Sequence, residues 1–157
     1  MTLVPTDTSR VILEHEVTAA RPWADRHGWS LELPADGLAL SVRMMHPVDG
    51  GPMLLQGDFL GYRAQPPAWV FLDPETEQMT AHAWPKQSSI FGQSLIFHSV
   101  GVICVHFSRN AYTVFGGPHD WSLAGWVDVR EGVHAENVVE MLAVFRTHLG
   151  FSTGRMG

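Results

Sequence analysis

Cysteine is nearly absent from this chain of 157 residues: Cys104 stands alone. A lone thiol cannot close an intramolecular disulfide, so it serves as a small buried hydrophobe, a metal ligand or a nucleophile. Positive charge is scarce too. Ten Lys plus Arg stand against sixteen Asp plus Glu, a formal charge of −6, and no basic cluster is present to grip a phosphate backbone. Nucleic acid is therefore not an expected partner. No apolar run reaches membrane-spanning length, and Met1-Thr-Leu-Val-Pro-Thr-Asp-Thr8 lacks the basic and apolar regions of an export signal. Together with the unpaired thiol, this predicts a cytoplasmic protein that does not engage a membrane. Internal repeats, low-complexity tracts and a Gly-rich phosphate loop are also missing.

What is there fits one globular domain spanning 1–157. Apolar residues make up 45% of the chain, with six Trp and eight Phe, and a chain of this length buries roughly two thirds of its unfolded surface. From Thr8 to about Arg21, Val11, Leu13, Val17 and Ala20 suggest an apolar helical stripe, with Asp7, Thr8 and Ser9 as N-cap oxygens and Pro22 as the limit or a kink. After Gly28 the period changes to two. Trp29 to Leu33 and Leu38 to Met44 alternate about the turn Pro34-Ala-Asp-Gly37, and Met53 to Leu60 and Ala68 to Leu72 follow further Gly/Pro breaks. Four short strands in sequence make an antiparallel meander.

Residues 73–89 are polar with prolines at intervals and read as a loop insertion. The apolar, strand-like run Ser94 to Phe107 carries Cys104, with His98 before it and His106 after. A loop-rich stretch follows, with the turn Gly116-Gly-Pro-His119-Asp120-Trp121 and then Trp126. Finally, Val138, Met141, Leu142, Phe145 and Leu149 mark a helix over Ala135 to Leu149, with Gly150 positioned to end it. The expected class is α+β.

Tyr62-Arg-Ala-Gln-Pro66-Pro67-Ala-Trp-Val-Phe71 has the spacing Tyr-x-x-x-Pro-Pro-x-x-x-Phe. It resembles the segment at which the third strand of ubiquitin-conjugating enzymes turns into the fourth. Gly50-Gly-Pro-Met53 and Gly57-Asp-Phe59 look like that family's glycine-containing hairpin and phenylalanine-bearing strand. His98-Ser-Val-Gly101-Val-Ile103-Cys104-Val105 is similar to its His-Pro-Asn…Gly-x-Ile-Cys-Leu catalytic segment, and Trp126 with the last helix resembles its tryptophan and crossing helix. The resemblance runs in order over about 8–150. It implies a UBC-like fold and a divergent bacterial conjugating enzyme, with a ubiquitin-like modifier, an activating enzyme and a protein substrate as partners, and no cofactor.

Three departures bear on activity. Ser99 and Val100 stand where the family has Pro and Asn, the loop between Phe71 and His98 is longer, and the chain stops soon after the crossing helix. The chemistry implied is a thioester on Cys104, which needs a thiolate and an oxyanion stabiliser. By the resemblance, His98 holds the loop by hydrogen bonds. On a strand, His106 would point to the same side as Cys104, as a base, a positioning group or simply a half-exposed polar residue. The Asn110 amide can replace the missing asparagine or form a turn. His119 and Asp120 can form an orienting pair at the mouth of the site, or be a solvated His beside a turn Asp. Trp121 and Trp126 read as packing residues. Two other readings remain open. Cys104, His106, His98 and His119 contain enough nitrogen and sulfur for tetrahedral zinc, although their spacing follows no zinc pattern. A catalytically inactive UBC-like module that only binds a modifier is the other.

Overall fold

The computed structural model describes residues 6–86, 96–97, 101–130 and 132–156. Helix α1 spans Thr6–Arg26. Strands β1 (Ser30–Glu32), β2 (Ala39–Met45), β3 (Pro52–Asp58) and β4 (Ala68–Leu72) form one antiparallel sheet in the order β1-β2-β3-β4, and helix α2 covers Val138–Phe151. The expected helix, four-strand meander and closing helix are all present, and the class is α+β. No helix among the described residues is long and apolar enough to cross a membrane.

Period-two patterning explains the sheet. Leu40, Val42 and Met44 of β2 and Met53 and Leu55 of β3 are buried on one face, in register with Phe71 opposite Leu55. Gly57 pairs with Trp69, and a Cβ on Gly57 would lie 2.7 Å from the indole, so only glycine lets that ring cross the strand. Trp69 then meets Phe145 of α2 edge-on, with ring centroids 5.1 Å apart. Leu13, Val17, Ala20 and Ala24 of α1 complete the same core.

Both helices depart from expectation at their ends. α1 runs on through Pro22 to Arg26. The missing proline N–H would have served the Thr18 carbonyl, but both residues are exposed, so water can take that role, and buried Ala24 ties the extra turn to the core. α2 starts three residues later than Ala135, at Val138, because Asn137 caps it. The Glu140 N–H donates to Asn137 Oδ1 (3.0 Å), and the Glu140 carboxylate accepts the Glu136 N–H (3.2 Å), a reciprocal capping box that holds 135–137 outside the helix. Gly150 does not end α2, which continues to Phe151.

One junction joins α1, the β3–β4 connection and α2. The Tyr62 hydroxyl donates to Glu16 Oε1 (2.6 Å), the Val138 N–H donates to the same oxygen (3.0 Å), and Arg63 reaches Glu16 Oε2 (3.2 Å). A carboxylate at the start of a helix is favoured by the orphan N–H groups and the helix dipole. Trp126, buried as expected, donates its indole N–H to the Arg63 carbonyl (3.0 Å).

Candidate functional site

Among the described residues, the segment carrying Cys104 forms no strand. The Cys104 N–H donates to the Ile96 carbonyl (2.7 Å), and the chain then closes tight turns, Val105 N–H to Ile103 (3.0 Å) and Ser108 N–H to Val105 (3.1 Å). Among the described residues no strand runs through Cys104, so strand alternation does not set the directions of Cys104 and His106. Burial nonetheless alternates: Ile103, Val105 and Phe107 are buried, while Cys104 and His106 are half-buried. Three apolar anchors therefore seat a loop in the core, which is why the composition reads as a strand. Gly101 opens the segment at φ 97, a left-handed conformation, with the Met79 sulfur 3.9 Å from where a Cβ would lie. Met79 of the 73–86 loop thus lies beside the cysteine segment.

The loop is fixed to the β3–β4 connection by groups the residue pattern did not single out. Arg109 is 7% exposed, and its guanidinium donates to the Leu60 carbonyl (2.7 Å) and pairs with Asp58 (3.0 Å). Burial lowers its pKa while Asp58 opposes that shift. The Arg109 N–H donates to the Pro67 carbonyl (2.9 Å), and Ser108 Oγ accepts the Trp69 N–H (3.3 Å). The Pro66-Pro67 turn is therefore the seat of the cysteine loop. Nothing local marks Arg109 for this role, since its partners lie far away in the chain.

The second contact of the region is aromatic and joins rings that no local pattern relates. The rings of His106 and His119 lie 3.8 Å and 4.0 Å from the Trp121 ring, inclined by only 26° and 2°. Two rings that close and that parallel to one indole must occupy opposite faces. Trp121 is therefore half-exposed and sandwiched, not a core packing residue. Tyr112 meets it edge-on at 5.4 Å and donates its hydroxyl to the His106 carbonyl (2.6 Å), and burial pushes the Tyr112 pKa up to about 12. The stack joins the turn after Cys104 to the 111–121 loop, whose backbone closes through Thr113 N–H to His119 (2.8 Å) and His119 N–H to Ala111 (2.9 Å).

The expected site residues are thus partly brought together. Cys104 and His106 lie in successive turns, 103–105 and 105–108, and His119 joins His106 through Trp121. Asp120 is exposed and, among the described residues, forms no ion pair with His119, whose ring is stacked instead. Asn110 sits in a 3₁₀ turn, Arg109–Ala111, whose carbonyl leaves Gly117 no room for a side chain: a Cβ there would lie 2.2 Å from Asn110 O. His98, with Ser99 and Val100, lies outside the described residues. Burial pushes the Cys104 thiol pKa up, the direction opposite to an activated nucleophile. Among the described residues no three His, Cys, Asp or Glu side chains are placed to hold a metal ion. No protein-family model matches the chain, and no curated protein matches it as a relative.

Proposed function

We propose that the chain is a UBC-like conjugating enzyme of a bacterial ubiquitin-like system. In this reading the Cys104 thiolate attacks the C-terminal carbonyl of a ubiquitin-like modifier held by an activating enzyme, whose own thiolate leaves. An amine of a protein substrate then displaces Cys104, and the amine's proton passes to a base. What supports the reading is placement. The chain's sole thiol lies half-buried on an irregular loop after a four-strand meander, seated through Arg109 on the Pro66-Pro67 turn that carries the family resemblance.

Within this reading the chain's own groups have definite tasks. A thiol raised by burial needs a proton acceptor before it can attack; His106, two residues along the chain, and His119, stacked with it on Trp121, are the candidates for that role among the described residues. Oxyanion support would come from the Asn110 amide or from backbone N–H groups of the turns. The raised thiol also favours a second reading, a UBC-like module that binds a modifier without loading it. Incubation with the modifier, its activating enzyme and ATP separates the two. A conjugating enzyme gains a band that vanishes with thiol reductant; Cys104→Ser gives a reductant-resistant oxyester, and Cys104→Ala gives none while still folded. A charged activating enzyme with no adduct on this chain leaves only the binding module. Stoichiometric zinc lost on Cys104→Ala would replace both readings with a metal site.

A further inference from the structure

The ring of His46, just beyond β2, is 1% exposed and engaged at both nitrogens. Nδ1 accepts the N–H groups of Val48 (3.0 Å) and Asp49 (3.4 Å), and Nε2 lies 3.0 Å from Ser152 Oγ, one residue past α2. A ring nitrogen that accepts N–H donors carries no proton itself, so the ring is neutral, with its proton on Nε2 directed at Ser152. The Ser152 hydroxyl donates onward to the Gly154 carbonyl (2.9 Å).

From Ser152 the chain is held on two sides. On one, Asp49 accepts the Arg155 N–H (2.7 Å) and its guanidinium Nε (3.1 Å). On the other, the Lys86 N–H donates to the Gly154 carbonyl (2.7 Å) and the Met156 N–H to the Trp84 carbonyl (2.9 Å). Residues 152–156 therefore strap the β2–β3 turn to residues 84–86, at the far end of the loop whose Met79 lies beside the cysteine segment.

We propose that this strap is a proton-operated clasp, closed while His46 is neutral and released from the β2–β3 turn and from Trp84–Lys86 when Nδ1 takes a second proton. A proton on Nδ1 faces two backbone donors and removes their acceptor, so the turn that orients the ring cannot persist around the imidazolium. The charges bearing on the ring are Asp49 from its own turn and Arg155 from the C-terminal segment, and they pair with each other; the end of α2 contributes the Ser152 hydroxyl. Burial lowers the His46 pKa, Asp49 works to raise it and Arg155 to lower it. For Asp49, burial works upward, but the N–H groups of Arg155 and Gly51 and the Arg155 guanidinium outweigh it and hold the carboxyl at about 2. Asp49 thus stays ionised throughout mild acid, and His46 is the member of the clasp that changes charge. A histidine lowered in the folded state contributes stability that is complete above its unfolded value of 6.5 and is lost as pH falls through the folded value.

The inference is independent of what Cys104 does. It is tested on the full chain by NMR amide exchange at Lys86, Arg155 and Met156, corrected for intrinsic rates, at about pH 7.5 and at successively lower pH until the His46 ring shifts show protonation. Protection of these three amides is expected to fall at least about tenfold in acid while the β2–β3 ladder stays protected. His46→Asn keeps an acceptor for the turn N–H groups but cannot take the proton, and it should abolish the step. Unchanged protection in the wild type, or the same step in His46→Asn, overturns the clasp. Should His46→Asn fail to fold, the wild-type ring decides through its own ¹³C and ¹⁵N shifts: protonation must coincide with the loss of protection, and a ring that stays neutral while the amides open rules the clasp out.

Discussion

His46 and the pair His106 and His119 sit in different surroundings. Hydrogen bonds engage both nitrogens of His46, whereas the other two rings stack on the faces of Trp121. A hydrogen bond dictates which nitrogen carries the proton; stacking fixes the plane of a ring and leaves that choice to its edges. The same contrast separates the Glu16 junction, where three donors close on one carboxylate, from the Cys104 thiol, which is half-buried and raised by that burial.

Removing the hydrogen-bonded side of the comparison should cost most. Glu16→Ala strands the buried Tyr62 hydroxyl and the Val138 N–H and is expected to lower stability by about 3 kcal/mol in urea unfolding. Glu16→Gln, which keeps an acceptor, should cost about half as much. A loss under about 0.5 kcal/mol for Glu16→Ala would show that water replaces the carboxylate.

Breaking the stacked side should be milder and local. Trp121→Ala is expected to cost about 1–2 kcal/mol and to remove the upfield ring-current shifts of the His106 and His119 ring protons. Trp121→Phe should retain part of both effects. If the shifts persist in the alanine variant, they do not arise from Trp121, and the sandwich is not formed in solution.

Acid sharpens the contrast next. Stability contributed by neutral His46 is complete above about pH 6.5 and is expected to fall as the pH drops below it, read as a drop in Tm that His46→Asn flattens. Smallest of all is the effect of Cys104→Ala on stability, expected to be under about 1 kcal/mol, because the half-buried thiol fills little core volume. Unfolding by that substitution would mean that the cysteine serves packing or a metal.

Much of the frame is legible from neighbouring residues. Alternation about Pro34-Ala-Asp-Gly37 and the breaks at Pro47–Pro52 and Gly61–Pro67 mark the meander, because strand period and turn chemistry are properties of a few consecutive residues. The end of α1 is less legible: the effect of Pro22 depends on whether the Thr18 carbonyl faces water. The start of α2 is written locally in Asn137 and Glu140, a capping box hidden behind helix-compatible Ala135 and Glu136. At the cysteine, Ile103, Val105 and Phe107 imitate a strand because a loop seated in a core also needs alternate apolar anchors.

Sequence alone determined the α+β class, the four strands in order and the solitary thiol after them. Only the tertiary structure decided what surrounds that thiol and what locks the frame. Glu16 meets the Val138 N–H across 122 residues, His46 meets Ser152 across 106, and Arg109 meets the Leu60 carbonyl across 49. Hydrogen bonds and stacking reach only a few ångströms in space and take no account of separation along the chain. Such partners come together only once the sheet and both helices have buried their apolar faces.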